Sequence, residues 1–176
     1  MQVYLIGFMG AGKTTVGELL AEKLDRPFVD LDDVIEKKAD LSIPLIFEKY
    51  GEKFFRQLET DCLRRIARYP GNIIATGGGV ILIAENRKIM KNSGIIVYLK
   101  WQTNILCQRI KDSTHRPLLT NINEAQLHQQ IDKMLTQRQP FYEQADIIIN
   151  GNDQTTREEI AELIIQKLPS TFTVND

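Results

Sequence analysis

The sequence predicts an α/β domain in which a five-stranded parallel sheet is covered by helices on both faces, a three-layer α/β/α arrangement. Short apolar, β-branched runs recur along the chain, and amphipathic segments separate them. The length of 176 residues, with 43% hydrophobic and 26% charged residues, suits one compact globular unit. We therefore expect residues 1–176 to form a single domain.

Each element follows from the spacing of apolar residues. The predicted strands are Val3–Ile6, Pro27–Val29, Asn72–Ala75, Ile95–Leu99 and Asp146–Ile149. Helical spacing predicts two core-facing stripes, Val16, Leu19, Leu20 and Leu24, and then Phe54, Leu58, Cys62 and Ile66. Further helices are expected at Ile83–Lys91, Thr103–Ile110, Glu124–Gln137 and Thr155–Lys167. We expect the polar residues 169–176 to fray.

Composition excludes several classes of function. The 22 Lys and Arg against 23 Asp and Glu give a net charge of −1, which excludes a generally basic surface for nucleic acid or anionic membrane. Cys62 and Cys107 are too few for a disulfide framework and lack the short-spaced partners of a zinc site, so we expect reduced core thiols in a cytoplasmic protein. We expect no export signal and no membrane anchor, because no apolar run approaches the ~20 residues that span a bilayer.

A glycine-rich motif follows the first predicted strand. Residues 7–14 read Gly-Phe-Met-Gly-Ala-Gly-Lys-Thr and match G-x-x-x-x-G-K-[ST] in full, directly before a predicted helix. Such a loop points backbone N–H groups and a helix N-terminus at phosphate oxygens. Lys13 is expected to reach the β- and γ-phosphates, and the Thr14 hydroxyl is expected to bind Mg²⁺. The motif predicts a nucleoside triphosphate site. A small-molecule phosphotransferase fits better than a switch GTPase or a nucleic-acid motor, since the chain is short and has no Asn-Lys-x-Asp guanine motif.

Two carboxylates, Asp30 and Asp32, follow the second predicted strand. Alternation along an extended chain would aim both to one side, at the carboxyl edge where open α/β sheets bind ligands. One acid could hold metal-bound water, while the other orients an acceptor hydroxyl and takes its proton. Helix capping competes with these roles for Asp32 and Asp33. For Asp33 we prefer the helix-capping role, because Glu36, three residues later, would complete a capping box.

Glycines and arginines further along indicate where an acceptor could lie. Gly77–Gly79 leaves the backbone bare for close approach of a ligand. Arg56 and Glu59 are three residues apart on a predicted helix and can hold each other, although such a pair alone is most often a surface ion pair. Arg138 follows a predicted helix end, where a cation is common.

The segment from residue 111 to 123 is long, polar and interrupted by Pro117. It fits either a lid or a surface excursion, and the residues alone leave both open. His115 in this segment is interpreted as a solvated loop histidine. Trp101 and His128 carry no functional signal beyond packing or surface placement.

In their order and spacing these motifs resemble the shikimate kinases along almost the whole chain, from Val3 to about Leu168. The resemblance implies a P-loop nucleoside triphosphate hydrolase fold of the nucleoside-monophosphate-kinase type. It also implies transfer of the γ-phosphate of ATP, with Mg²⁺, to the 3-hydroxyl of shikimate in aromatic amino-acid biosynthesis. The matching segments are residues 7–17, 28–32, 55–59, 76–79 and 116–119, and Arg138 with Pro140 and Tyr142.

The resemblance further implies a role for each matching residue. The implied catalytic residues are Lys13, Asp32 as the best candidate base, and Arg116 of the lid. The implied ATP contacts are Gly10, Ala11, Gly12, Lys13, Thr14, Thr15, Arg109 near the adenine and Arg116. The implied metal ligands are Thr14 and Asp30. The implied acceptor contacts are Asp32, Gly77, Gly78, Gly79, and the carboxylate-gripping Arg56 and Arg138. The acceptor region would cover about residues 31–60 and the lid about residues 111–123.

The expected partners are ATP and shikimate, with no nucleic acid and no membrane, for a monomer in the cytoplasm. Two alternatives remain, a related small-polyol kinase such as a gluconate kinase and a regulatory nucleotide-binding module without transfer chemistry. The two arginines, Asp32 and the glycines favour a cyclic hydroxy-carboxylate as acceptor. The presence of Lys13, Asp32 and Arg116 argues against the regulatory module.

Overall fold

The computed structural model describes residues 1–111 and 123–173. Five parallel strands form one sheet in the order β2-β3-β1-β4-β5. All five predicted strands are confirmed, each within one residue of its expected bounds. The strands are β1 (Gln2–Ile6), β2 (Phe28–Asp30), β3 (Ile73–Ala75), β4 (Gly94–Lys100) and β5 (Ile147–Asn150).

Helices cover both faces of this sheet. Side chains alternate along the central strand β1, so that Val3 and Leu5 join one buried cluster while Tyr4 and Ile6 join the other. The predicted three-layer architecture is therefore confirmed. The helices are α1 (Lys13–Lys23), α2 (Leu31–Ala39), α3 (Ile43–Ile66), α4 (Ala84–Ser93), α5 (Thr103–Lys111), α6 (Glu124–Tyr142), α7 (Arg157–Lys167) and α8 (Ser170–Thr173), with a 3₁₀ turn at Val80–Leu82.

One predicted core position is wrong. Phe54 is 43% exposed and packs its ring against Tyr50, whereas Phe55 is buried in the core. Helix α3 bends at Gly51, which has φ 77° and ψ 173° and interrupts the helical backbone. After the bend, the buried face runs through Phe55, Cys62 and Leu63, a row that starts one residue later than the predicted stripe.

The last C-terminal residues that the structure describes are helical. Ser170–Thr173 form a helical turn, and Phe172 is 4% exposed within the larger buried cluster. The Arg26 guanidinium carbon lies 5.9 Å from the centroid of the Phe172 ring. One buried aromatic ring thus packs this turn against the core, in the segment where the sequence predicts fraying. Residues 174–176 lie outside the described part of the chain.

Cys62 and Cys107 are both buried free thiols, as expected. Among the described helices, none is long and apolar enough to cross a membrane.

Candidate active site

The glycine-rich loop lies where β1 ends and α1 begins. Lys13, the first residue of α1, donates hydrogen bonds from Nζ to the carbonyl oxygens of Gly7 and Phe8, each at 3.0 Å. Trp101 donates from Nε1 to the carbonyl oxygen of Ala11 at 3.0 Å. The loop is thus held by its own lysine and by a ring from beyond β4. The predicted phosphate-binding positions, residues 10–15, occupy this loop and the first turn of α1.

The two predicted metal ligands lie together at the start of α1 and the end of β2. The Thr14 hydroxyl donates to Asp30 Oδ2 at 2.8 Å. A hydroxyl and a carboxylate are hard oxygen donors, which Mg²⁺ prefers, and protein sites for Mg²⁺ supply few ligands because phosphates and water provide the rest. This pair fits such a site. No group of three or more His, Cys, Asp or Glu side chains with metal-binding geometry occurs in residues 1–111 and 123–173.

The capping prediction for the acidic segment is wrong. Helix α2 begins directly after Asp30, whose Oδ1 accepts from the backbone N–H of Asp32 at 2.9 Å and so caps the helix. Asp33 is therefore inside the first turn, and the Glu36 carboxylate accepts from the N–H of Ile43 at 2.7 Å instead. Asp32 is in the first turn of a helix, so the strand alternation expected for Asp30 and Asp32 does not apply.

Asp32 nevertheless carries an altered acidity. Burial is the largest cause that raises the pKa of its carboxyl to about 6, and the neighbouring Asp30 carboxylate adds to the rise. The Lys13 ammonium opposes it. A carboxyl with this pKa is mostly ionised at neutral pH and close to the optimum for a general base.

The glycine run after β3 lies directly against the acidic and basic side chains. A Cβ atom on Gly77 would be 3.0 Å from Asp32 Oδ1 and 3.2 Å from Glu59 Oε1. A Cβ atom on Gly79 would be 2.5 Å from Arg56 Nη2. Side chains at these two positions would displace the charged groups, so the absence of Cβ atoms is what lets them approach the backbone.

Arg56 and Glu59 form an ion pair on α3, as their spacing predicts, with Nη1 and Oε2 2.9 Å apart. The pair is not an ordinary surface pair, because the Glu59 side chain is fully buried. Burial raises the pKa of Glu59, and the Arg56 charge opposes the rise. Within the described residues, Glu59 Oε1 has no hydrogen-bond partner. Through its other oxygen, Oε2, the buried carboxylate anchors one edge of the Arg56 guanidinium.

Arg138, from a different helix, contacts the same glycine run. It lies inside α6, which continues past Pro140 to Tyr142, so the predicted helix end before Arg138 is wrong. Its Nη1 donates to the Gly78 carbonyl oxygen at 3.4 Å, and the buried Tyr142 hydroxyl donates to the same oxygen at 2.6 Å. A Cβ on Gly78 would lie 3.3 Å from the Met9 nitrogen, so this glycine joins Arg138 to the phosphate loop.

Arg109, the predicted adenine-side residue, lies near the end of α5. Its guanidinium carbon is 3.7 Å from the centroid of the Trp101 ring. Trp101 and Tyr142 also contact candidate site residues, and sequence reasoning missed these contacts. Trp101 had one positional signal, since it lies two residues beyond the predicted strand Ile95–Leu99, at the carboxyl edge. Arg116 and the body of the predicted lid lie outside the described residues.

Comparisons with known proteins identify the family. The family model described as shikimate kinase matches residues 9–169. The shikimate kinase of Thermodesulfovibrio yellowstonii is 44% identical over 94% of this chain and 93% of the relative. That of Nostoc punctiforme is 42% identical over 98% of this chain and 93% of the relative.

Solved structures give the same result. The shikimate kinase of Acinetobacter baumannii, solved in complex with shikimate, has a TM-score of 0.85 and 42% identity, covering 94% of this chain and 90% of that one. The Aquifex aeolicus shikimate kinase has a TM-score of 0.81 and 38% identity, covering 94% of this chain and 95% of that one. With a family model that spans most of its length and relatives that match it nearly end to end, the chain belongs to the shikimate kinase family.

Proposed function

We propose that this chain transfers the γ-phosphate of ATP to the 3-hydroxyl of shikimate, producing shikimate 3-phosphate and ADP. One observation carries the proposal: Arg56 and Arg138, from two different helices, meet at one glycine run beside Asp32 and the phosphate loop. Family membership and the shikimate complex of the Acinetobacter baumannii relative support it.

The arrangement suits a planar carboxylate that also carries hydroxyl groups. Two forked guanidinium groups from separate elements would fix both the position and the rotation of the carboxylate. Asp32 would then accept a hydrogen bond from the acceptor hydroxyl and take its proton as the oxygen attacks the γ-phosphorus. The bond from that phosphorus to the β–γ bridging oxygen breaks, and ADP leaves with the electron pair.

The phosphate loop supplies the complementary half of the reaction. Its N–H groups and Lys13 would hold the phosphates in line and neutralise charge that develops on them. Mg²⁺, when bound, neutralises phosphate charge, and Thr14 and Asp30 would hold it. We also propose that Arg116 reaches the phosphates from a lid that excludes water, which would otherwise compete as an acceptor.

Coupled release of ADP tests the function. Purified protein with ATP and Mg²⁺ is assayed in parallel with shikimate, with gluconate and without an acceptor. We expect turnover with shikimate and only background in the other two arms. Turnover with gluconate alone would identify a related polyol kinase, and binding of ATP without any turnover would identify a regulatory module.

The carboxylate clamp has a separate test. Arg138→Ala is expected to raise KM for shikimate by about tenfold or more, because a charge-assisted bond to the substrate is lost, while KM for ATP stays near the wild-type value. Arg157→Ala, at an exposed position on α7, is the control. Equal losses for both substrates would contradict a clamp that acts on the acceptor alone.

We further propose that the protein acts as a monomer in the cytoplasm, without nucleic-acid or membrane partners. The net charge is −1, and two buried free thiols fit a reducing compartment. Light scattering during gel filtration should give a mass near 20.2 kDa, and a mass near twice that value would overturn the monomer.

A further inference from the structure

Trp101 is placed between the phosphate loop and the predicted adenine side of the site. It directly follows β4, is 6% exposed, and donates from Nε1 to the Ala11 carbonyl oxygen. In a trans peptide, the carbonyl of Ala11 and the N–H of Gly12 point in opposite directions. A donor fixed on the Ala11 oxygen therefore fixes the direction of one N–H group of the phosphate loop.

A second contact of the indole is with Arg109. The guanidinium carbon lies 3.7 Å from the ring centroid, well within the roughly 6 Å range of cation–π contacts, so the guanidinium lies against the ring face. Arg109 takes part in none of the ion pairs found in residues 1–111 and 123–173, and it is half-buried. The indole thus holds a guanidinium that no described carboxylate orients.

A third contact keeps the ring in place. Gly151, in the loop after β5, lies so close to the indole that a Cβ on it would overlap Cη2 and Cζ3. The ring is therefore bounded by the phosphate loop, by Arg109 and by the loop after β5. It cannot turn without moving one of them.

We propose that Trp101 is a positioning residue for the nucleotide, in which the indole holds the Arg109 guanidinium flat for stacking against a purine base and its N–H holds the phosphate loop. This inference rests on the proposed ATP site. It separates two contributions, a stack that only a ligand with a base can use and a hydrogen bond that helps any polyphosphate.

Calorimetry with ADP and with inorganic tripolyphosphate, both with Mg²⁺, tests the two contributions on the full chain. Trp101→Phe keeps a ring but loses the donor, so both ligands should bind about threefold to fivefold more weakly and by similar factors. Trp101→Leu loses ring and donor, so the preference for ADP over tripolyphosphate should fall by about a further threefold.

A second pair of variants replaces the guanidinium. Arg109→Lys keeps the positive charge but loses the planar guanidinium. ADP should therefore bind about threefold more weakly, while tripolyphosphate should bind as it does to the wild type. Arg64→Lys, at an exposed position of α3 that pairs with Asp61, is the matched control and should change neither affinity. If Trp101→Leu does not fold, Trp101→Phe and Arg109→Lys still decide the outcome.

The protein has one tryptophan, so its emission reports on this stack directly. We expect ADP to change the wild-type emission and tripolyphosphate to change it much less. The inference would be overturned if Trp101→Leu lost affinity equally for both ligands or left both affinities unchanged. Identical changes of wild-type emission with both ligands would also overturn it. No acceptor is present in these experiments, so their failure is distinct from failure of the proposed transfer to shikimate.

Discussion

As the proposed base, Asp32 must satisfy two opposing requirements. A base has to be ionised near neutral pH, yet burial and the neighbouring Asp30 carboxylate both disfavour its charge and raise its pKa to about 6. The Lys13 charge partly compensates, so the proposed acceptor-side acid lies next to the charge that would serve the phosphates. Burial of a charged functional group is a common reason why active sites reduce the stability of a fold.

The acidity of Asp32 predicts how activity depends on pH. Below its pKa the carboxyl is protonated and cannot take a proton, so kcat/KM for shikimate should rise as pH increases through about 6. Initial rates at low shikimate and saturating ATP, from pH 5 to pH 8, measure this. A profile that is flat across this range would show that proton transfer to Asp32 does not limit the reaction.

The same group predicts a gain in stability. The pKa of Asp32 is raised in the folded state, so its unfavourable contribution is absent below the unfolded value near 3.8 and is fully developed above about 6. Asp32→Asn should therefore be more stable than wild type at pH 8, by at most about 3 kcal/mol, and the difference should shrink towards pH 4. Urea unfolding at both pH values measures it. Loss of stability at pH 8 would contradict the assignment, and kcat should fall strongly in this variant.

Arg56 offers a matched comparison of a buried and an exposed partner. Glu59 is fully buried and 2.9 Å from the guanidinium, whereas Glu52 is 67% exposed and 3.3 Å from it. Glu59→Gln should raise KM for shikimate by about tenfold because the guanidinium loses its buried anchor, while Glu52→Gln should change it less than about twofold. Steady-state kinetics of the two variants decide this. Equal effects would mean that burial does not determine how Arg56 is oriented.

At the scale of elements, α3 shows how one residue changes the direction of a helix. The backbone at Gly51, with φ 77° and ψ 173°, is accessible to glycine and strained for other residues. The segment before it carries the exposed Tyr50, and the segment after it carries Phe55 into the core and Arg56 to the glycine run. The bend therefore determines which side of the helix faces the site.

Replacing Gly51 tests this bend. Gly51→Ala should lower the free energy of unfolding by about 2 kcal/mol, because alanine does not tolerate this backbone conformation. KM for shikimate should rise by up to about tenfold as the helix segment carrying Arg56 shifts. Lys53→Ala, two residues later on an exposed and regular part of the helix, is the control for both measurements. A stable variant with unchanged KM would show that the bend is not needed for the clamp.

At the scale of the whole molecule, the parallel sheet separates the candidate site from the opposite edge. The site groups follow the carboxyl ends of the strands, as ligands do in open α/β sheets. Phe172 lines a cavity at the other edge with Met1, Arg26 and Gly71, which precede β1, β2 and β3. Phe172 therefore affects stability and lies away from the proposed substrate-binding residues.

Phe172→Ala should lower the free energy of unfolding by about 3 kcal/mol, because a large buried ring is removed from the core. Both KM values and kcat at 25 °C should remain near wild type. Leu163→Ala, an apolar residue of α7 that is 38% exposed, should cost less than about 1 kcal/mol. Urea unfolding compares the two variants. A small loss for Phe172→Ala would mean that the last turn contributes little to the core.

Local signals in the sequence are sufficient for much of this protein. Short apolar, β-branched runs predict all five strands, because a parallel sheet buries both faces of each strand. The motif at residues 7–14 predicts a phosphate loop, because few backbone conformations can surround a phosphate and those require glycine at set positions. The resemblance of motifs along the chain is enough to identify the family.

Only the tertiary structure decides how the remaining residues are used. Glu59 is buried beside Arg56, which spacing along one helix does not reveal. Arg138 and Tyr142 donate to one oxygen of Gly78, a residue far away in the sequence. Trp101 stacks on Arg109, which belongs to the following helix. Capping by Asp30 in place of Asp33 depends on where a strand gives way to a helix, and local patterns allow several boundaries. Spacing specifies which residues can be neighbours along one element. Packing between elements determines which of these residues meet and which are removed from water. It therefore determines which side chains have an altered pKa.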